Sequence, residues 1–391
     1  MRAGGAAIAA LLAVSIASCS KVGARPIAGL AAWRVSLYPD AHRFAFTIVH
    51  DADSAYSARL APLFEEFDAL KMKITATIFV YWAGDSQGDL SWSRWNAIAD
   101  PRVAFLAPSA VPLVDQRERE FYVDLAARGH EIAMHTPSDT SDTTEELENS
   151  FEYFAQIFGH PPTVYVEHSS RSNRETLEHD GSNPQSPYYS KGVLSRYAPW
   201  VWVDGPLGIP PANETRYFDL AAFQGAPFSD SLAKRYGLPK VFTRTGKWRD
   251  ANGDGFLDWY SKANIDTLER DRGLALVYTH LDERWLDADT RKMREPLRER
   301  LEYLTARNGW FVPAGTILDR ISVMKNVSLS RVGNQLRIEN RNAVPVASVT
   351  LISPDGTGLC SAARVFHPLP SGDIVVGLMR PSEVMAFDLC R

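Results

Sequence analysis

The stretch Phe44-Ala45-Phe46-Thr47-Ile48-Val49-His50-Asp51-Ala52-Asp53 decides the fold of this chain. Its first six residues are apolar, aromatic or β-branched, which is typical of a buried strand. Two carboxylates, Asp51 and Asp53, follow where that strand ends, and a second strand-like run, Glu131–Met134, ends in the same way at His135. The carboxyl ends of parallel strands meet at one edge of a sheet, so carboxylate and imidazole groups can converge there on one divalent cation. The pattern therefore predicts a metal-dependent enzyme.

The composition of the chain narrows the class of protein. With 391 residues it can form one large core and a small second domain. Hydrophobic residues make up 45% of the chain, as in ordinary globular proteins. The formal net charge is -5 and no Lys/Arg cluster is present, so we expect no nucleic-acid partner.

Strand-like and helix-like segments alternate between residues 41 and 324. This alternation predicts an α/β fold with a largely parallel sheet, open or closed as a barrel. Polar residues fall at or just beyond several predicted strand ends, namely Asp51, Asp53, His135, His168, Asp204 and His280. Short alternating runs separated by turn residues follow in residues 327–391 and predict a small all-β sandwich domain. We expect this domain to have a packing role, and carbohydrate binding is the alternative.

The N-terminus has the features of an export signal. Arg2 precedes an apolar run that is too short to span a bilayer, and Ile16-Ala17-Ser18-Cys19 resembles a bacterial lipobox. We expect a lipoprotein-type signal peptide in residues 1–19, a tether in residues 20–40, and membrane attachment through a lipid on Cys19. Ser20 then favours the periplasmic face of the outer membrane or the cell surface. The alternative is an ordinary secretory signal with a coincidental cysteine.

The other two cysteines, Cys360 and Cys390, both lie in the predicted C-terminal domain. In an exported protein we expect them to form one disulfide, and two separate buried thiols are the alternative.

The ordered set of motifs resembles the polysaccharide deacetylase family, which consists of metal-dependent carbohydrate esterases with a distorted (β/α) barrel. The resemblance covers about residues 41 to 322. Its motifs are Asp51/Asp53, Gly129-His130-Glu131-Ile132-Ala133-Met134-His135-Thr136, Trp202-Val203-Asp204 and Leu276-Val277-Tyr278-Thr279-His280. The resemblance implies hydrolytic deacetylation of an N-acetylated polysaccharide or oligosaccharide in the cell envelope.

The family pattern assigns catalytic roles position by position. It implies that Asp51 is the general base, that His280 is the general acid, and that Asp204 is the partner of His280. Asp53 then binds the metal. Ala52 separates two aspartates that are adjacent in the family, so the roles of Asp51 and Asp53 can be exchanged.

The metal set departs from the family at one position. His135 matches the first metal histidine, but Asp139 stands where the second is expected, and Asp142 is a fallback ligand. The resemblance implies a divalent metal, usually zinc, which accepts a carboxylate in place of an imidazole. An added negative charge favours a harder metal.

The arginine that the family has after the next strand is absent, because Val164-Tyr165-Val166 is followed by Glu167-His168. We expect His168, Arg171 and Trp202 to contact the substrate, with metal binding as the alternative role of His168. Arg171 or Arg174 is expected to supply the missing charge.

A second metal site is predicted in Asp250-Ala-Asn-Gly-Asp-Gly-Phe-Leu-Asp258. Asp250, Asn252, Asp254 and Asp258 have the spacing of the first ligands in a calcium loop, with structural calcium as the ligand. Ser261 stands where the loop needs an acidic residue, and an acid-rich turn is the alternative.

Two other functions stay open from the sequence. The chain can be a glycan-binding envelope lipoprotein that keeps the fold without catalysis, or a hydrolase of another glycan linkage at the same metal site. A binding module has no need of Asp51, Asp53, His135 and His280 together.

Overall fold

The computed structural model describes residues 33–52, 57–81, 113–138, 141–167, 173–198, 200–203, 217–218, 234–238, 240–246, 251–281, 283–354, 357–361 and 365–390. The expected signal peptide and most of the expected tether lie outside these ranges. No helix within the described ranges is long and apolar enough to cross a bilayer.

The larger part of the chain is built on a parallel sheet of eight strands. They are β2 (Phe44–His50), β3 (Thr75–Ile78), β4 (Glu131–Met134), β5 (Val164–Val166), β6 (Trp200–Trp202), β7 (Val241–Phe242), β8 (Leu274–Thr279) and β9 (Gly309–Trp310). Their order is β7-β6-β5-β4-β3-β2-β8, and β9 pairs with the start of β2. All pairings are parallel.

The two edges of this sheet meet at one point. Thr245, just after β7, forms an isolated parallel bridge with Val277 of β8. The backbone N–H of Thr245 donates to the carbonyl oxygen of Leu276 at 2.8 Å. The sheet is therefore curled toward a barrel, as the alternation of elements in the sequence predicts.

Eight helices have bounds within the described ranges. They are α1 (Ser57–Ala69), α2 (Gln116–Ala127), α3 (Thr144–Phe158), α4 (Lys191–Tyr197), α5 (Gly253–Trp259), α6 (Lys262–Arg270), α7 (Glu295–Thr305) and α8 (Ala314–Met324). Local sequence sets their ends. Helix α3 begins with a capping box between Thr143 and Glu146 and ends at Gly159, whose φ of 78° needs a residue without a Cβ.

Alternate residues of each strand enter different cores. Phe44, Phe46 and Ile48 of β2 pack with the helices α1, α2 and α3. Ala45 and Val49 face the opposite side of the sheet, where helix α8 contributes four buried residues. We call this second side the inner face.

The C-terminal part is all-β, with two antiparallel sheets. Its strands are β10 (Val327–Val332), β11 (Gln335–Asn340), β12 (Val346–Ile352), β13 (Gly358–Cys360), β14 (Val365–Phe366), β15 (Asp373–Met379) and β16 (Val384–Cys390). One sheet has the order β10-β11-β16-β13-β14 and the other includes β12 and β15. Residues of both sheets share one apolar cluster. Cys360 and Cys390 form a disulfide, so that prediction is confirmed.

The expected tether ends earlier than residue 40. Arg34–Val35 is strand β1, which pairs antiparallel with β12 and extends the smaller sheet. Trp33 is buried in the core of the C-terminal part. This correction has a simple cause, because Trp33 and Val35 supply apolar side chains that pack against that core.

Candidate active site

Three side chains just beyond the carboxyl ends of the strands point to the same side of the sheet as the inner face. Asp51 follows Val49, His135 follows Ala133 and His280 follows Tyr278, in each case two positions further along the chain. The two-residue period of a strand therefore aims all three side chains to the same side. Active sites of parallel α/β sheets form at this end.

Asp51 lies between the two histidines. Its Oδ1 is 2.9 Å from Nε2 of His135, and its Oδ2 is 3.5 Å from Nε2 of His280. The side chains of Asp51 and His135 are 6% and 1% exposed, whereas that of His280 is 17% exposed. The structure thus brings together three of the predicted site residues, and His280 is the one most open to solvent.

The orientation of His135 is fixed by the backbone. Its Nδ1 lies 3.0 Å from the carbonyl oxygen of Val166, and a carbonyl only accepts, so Nδ1 carries a proton. In the neutral ring, Nε2 then presents a lone pair to a carboxylate oxygen of Asp51 at 2.9 Å. Two acceptors at this distance repel unless a proton or a cation lies between them. A histidine held by its Nδ1–H, with Nε2 facing a carboxylate, fits a metal ligand.

The buried charges influence one another. Burial alone raises the pKa of the Asp51 carboxyl, but attraction and hydrogen bonds from the protonated forms of His135 and His280 outweigh burial and hold this pKa well below its usual range. Burial lowers the pKa of the neighbouring His50 to about 4. His50 is therefore neutral at physiological pH, while Asp51 is ionised.

Two residues that the sequence analysis gave no role also lie at this end of the inner face. The hydroxyl of Tyr278 is 3.3 Å from Nε2 of His280. Arg244, which is 3% exposed, stacks over the Tyr278 ring at 5.0 Å and donates to the carbonyl oxygen of Gly246 at 2.9 Å. Arg244 lies two positions after Phe242 of the inner face, so the signal that identified Asp51 also applies to it.

Of the two arginines expected to supply the missing positive charge, Arg171 lies outside the described residues and Arg174 has other partners. Arg174 is half exposed and pairs with Asp180 at 2.5 Å, and its guanidinium stacks over Tyr188 at 4.3 Å. Among the described residues, Arg244 is a buried arginine at the inner face.

Trp202 does not offer a face to a sugar ring in this structure, which corrects its predicted role. It is 2% exposed, and its ring packs edge-on against Tyr278 and tilted against Phe242. A strand position on the inner face is a packing position, and this explains its burial.

Asp142, the fallback metal ligand, has other partners. Its carboxylate accepts hydrogen bonds from the N–H and the hydroxyl of Ser138 at 3.0 and 2.8 Å. Burial and the nearby Glu175 raise the pKa of Asp142 to about 8. The carboxyl is thus committed to a buried cluster beside the loop that follows β5.

The predicted calcium segment is largely helical. Asn252 caps helix α5 by accepting from the N–H groups of Asp254 and Gly255. The carboxylate of Asp254 pairs with Arg284 and Arg294, each at 2.7 Å. Two of the four predicted ligands therefore serve a helix cap and two ion pairs, and Asp258 is exposed on the helix. This geometry corrects the calcium-loop interpretation, because a helix begins at the fourth position of the loop.

Several predicted residues cannot be placed. Asp53, Asp139, His168, Arg171, Asp204 and Asp250 lie outside the described residues. Within the described ranges, no group of three or more histidine, cysteine or acidic side chains is arranged to hold a metal ion. Of the proposed metal ligands, His135 is described, and its Nε2 lies 2.9 Å from Oδ1 of Asp51.

Comparisons with known proteins do not assign the chain to a family. No family model matches the chain, and no curated protein matches it. Among solved structures, the chain is similar to Puue allantoinase, with 12% identity over 76% of this chain and 96% of that chain and a TM-score of 0.43. It is also similar to a probable polysaccharide deacetylase from Pseudomonas aeruginosa PAO1, with 11% identity over 71% and 91% and a TM-score of 0.39. TM-scores below 0.5 do not define the activity of this chain.

Proposed function

We propose that the chain is a metal-dependent hydrolase that removes acetyl groups from an N-acetylated glycan of the cell envelope. One observation carries the proposal: Asp51, His135 and His280 meet at the carboxyl end of a parallel sheet, and Nε2 of His135 faces the Asp51 carboxylate at 2.9 Å. Structural side chains seldom bury an ionised carboxylate between two imidazoles, because burial of charge is costly.

His135 would hold the metal together with Asp53 and Asp139, with zinc as the first choice for this donor set. A bound divalent cation lowers the pKa of a water molecule and polarises a carbonyl oxygen. The exchange of roles between Asp51 and Asp53 stays part of the proposal, because Asp51 is the carboxylate beside His135.

The protein groups supply the proton transfers. Asp51, which its low pKa keeps ionised, accepts a proton from the water that adds to the acetamide carbonyl carbon. His280 gives a proton to the leaving nitrogen as the C–N bond breaks. Acetate and a free amino sugar result. Asp204 is proposed as a partner of His280, alongside the described contact of His280 with Tyr278.

The cellular setting is proposed from the N-terminal sequence. A lipid on Cys19 would attach the enzyme to the periplasmic face of the outer membrane or to the cell surface. Labelling of the expressed protein with a radioactive fatty acid, lost in Cys19→Ser, tests the attachment. Unlabelled wild-type protein would contradict it.

The metal test uses the purified full chain. We expect about one metal ion per chain in the wild type and almost none in His135→Ala, measured by mass spectrometry of the metals. His160→Ala is the matched control, since His160 is exposed and its Nδ1 lies 2.8 Å from the carbonyl oxygen of the adjacent Pro161. A metal-free wild type would favour a glycan-binding protein without catalysis.

The activity test measures acetate released from N-acetylated chitooligosaccharides and from acetylated exopolysaccharides. We expect release by the wild type and a loss of about 100-fold or more in Asp51→Asn. Asp289→Asn, at an exposed surface position, is the control. New reducing ends without acetate would show hydrolysis of another linkage, and full activity of Asp51→Asn would exclude Asp51 as the base.

A further inference from the structure

A cleft lies between the parallel sheet and the C-terminal part, at the end of the sheet opposite the candidate active site. Its volume is about 410 Å³. The residues that line it are Arg34, Arg43, Arg270, Asp271, Arg272, Ile352 and Ser371. Four of these seven residues are arginines, so the cleft is strongly cationic.

Its position separates the cleft from the catalytic residues. Arg43 precedes β2 and Arg272 precedes β8, whereas Asp51 and His280 follow the same two strands. Strand β2 has seven residues, so roughly 20 Å of strand lies between the two ends. The cleft is therefore a separate site, and its function does not depend on the deacetylase proposal.

Only part of the positive charge is balanced. Arg270 pairs with Asp271 and Arg272 pairs with Asp373, both at 2.8 Å. Arg34 and Arg43 form no ion pair within the described part of the chain. Asp271 is the only acidic residue that lines the cleft, so the lining carries an excess of positive charge.

Two guanidinium nitrogens of the arginines that line the cleft have no hydrogen-bond acceptor among the described residues. Nε of Arg43 and Nη1 of Arg272 are buried, and neither has a hydrogen-bond partner among the described residues. Both nitrogens are closed off from solvent, so an anion in the cleft meets the other nitrogens of these guanidinium groups. The four arginines of the lining come from separate parts of the chain. Arg34 lies on strand β1, Arg43 lies just before β2, and Arg270 and Arg272 lie at the end of α6 and in the turn after it.

We propose that this cleft binds a phosphate group. Guanidinium groups arriving from several elements match the oxygens of a tetrahedral phosphate, which accepts hydrogen bonds on all sides. The volume exceeds that of a single phosphate, so the cleft also accommodates the small group to which the phosphate is attached. The phosphate is either a soluble anion or part of an anionic lipid headgroup.

Calorimetry with inorganic phosphate, at constant ionic strength, tests the binding. We expect the wild-type chain to bind, and Arg34→Gln/Arg43→Gln to bind at least about tenfold more weakly. Arg117→Gln/Arg196→Gln removes the same charge from exposed positions of α2 and α4 and should bind as the wild type does. Ser371→Glu keeps all the arginines and should also abolish binding, because it places a carboxylate in the cleft.

Vesicles distinguish the two sources of the phosphate. A preference of the full chain for phosphatidylglycerol over neutral phosphatidylcholine vesicles, lost in Arg34→Gln/Arg43→Gln but kept in the control, supports a lipid headgroup. Binding of inorganic phosphate without that preference supports a soluble anion. Absence of both, or equal binding by the cleft variant and the control, overturns the proposal.

Discussion

Asp51 and His280 occupy neighbouring positions directly after the ends of two paired parallel strands, β2 and β8. Val49 pairs with Tyr278 and His50 with Thr279, and the backbone N–H of Asp51 donates to the carbonyl oxygen of Thr279 at 3.1 Å. The register thus places the carboxylate beside the imidazole before any loop contributes. Sheet pairing is more rigid than loop contact, so we expect this pair to keep its geometry when substrates change.

Tyr278→Phe tests the hydroxyl that contacts His280. The phenyl ring keeps the packing on Trp202, and only the hydroxyl 3.3 Å from Nε2 of His280 is lost. A neutral hydrogen bond contributes about 0.5–1.5 kcal/mol, so we expect kcat for acetate release to fall roughly two- to tenfold. Tyr303→Phe is the control, because the Tyr303 hydroxyl bonds to Asp266 on the surface. An unchanged kcat in Tyr278→Phe would mean that the hydroxyl does not assist His280.

Arg244 is expected to position Tyr278 and to keep a positive charge beside the site. Arg244→Met removes the charge over the Tyr278 ring and the bond to Gly246. We expect kcat/KM to fall by about 10- to 100-fold, with Arg244→Lys intermediate because it keeps the charge. The control is Arg307→Met, which removes an arginine stacked over Tyr303 elsewhere. Full activity of Arg244→Met with an intact fold would remove Arg244 from the site.

Asp142 predicts a dependence of stability on pH. Burial and Glu175 raise its pKa to about 8, whereas the unfolded value is near 3.8. Between these pH values the folded chain binds a proton that the unfolded chain does not, so the free energy of unfolding falls as pH rises from about 4 to 8. Each unit of pKa difference corresponds to about 1.4 kcal/mol.

Asp142→Asn removes this titration. Asparagine is neutral at every pH, so the loss of melting temperature between pH 5 and pH 8 should be smaller in the variant than in the wild type. Calorimetric melting of both proteins at the two pH values measures the difference. Asp289→Asn, a change of the same type at an exposed position, should follow the wild type. Parallel melting curves for wild type and Asp142→Asn would contradict the raised pKa.

Most strands of the parallel sheet and three residues of the candidate site could be predicted from sequence, because they depend on local patterns. The run Phe44–His50 is a strand with the expected bounds, and polar residues at strand ends mark the site. Arg244 also follows a strand, β7, but the sequence alone does not indicate a role for it, because no carboxylate or imidazole stands directly beside it. The predicted substrate contact of Trp202 was wrong, because the sequence does not show whether an aromatic side chain is exposed or buried.

Contacts between the two parts of the chain could not be predicted. Strand β1 joins β12 across some 300 residues, and no local pattern records such a pairing. In residues 250–258 a local pattern was present but misleading. The spacing of the side chains matched a calcium loop, whereas Asn252 caps a helix and Asp254 forms two ion pairs. The partners of Asp254 in these ion pairs are Arg284 and Arg294, which the spacing within the segment does not indicate.

The ion pair between Arg272 and Asp373 is expected to hold the C-terminal part on the sheet. Asp373 is fully buried, and one oxygen lies 2.8 Å from the guanidinium of Arg272. Asp373→Ala leaves a largely buried arginine without its partner, which costs about 3–5 kcal/mol when such a pair is broken. We therefore expect urea unfolding to begin at a clearly lower concentration in this variant.

Arg272→Met/Asp373→Leu should recover most of the stability, because it removes both charges and fills the space. Arg341→Ala, which breaks an exposed pair with Glu339, should cost at most about 1 kcal/mol. A double variant less stable than Asp373→Ala would show that the two side chains act independently.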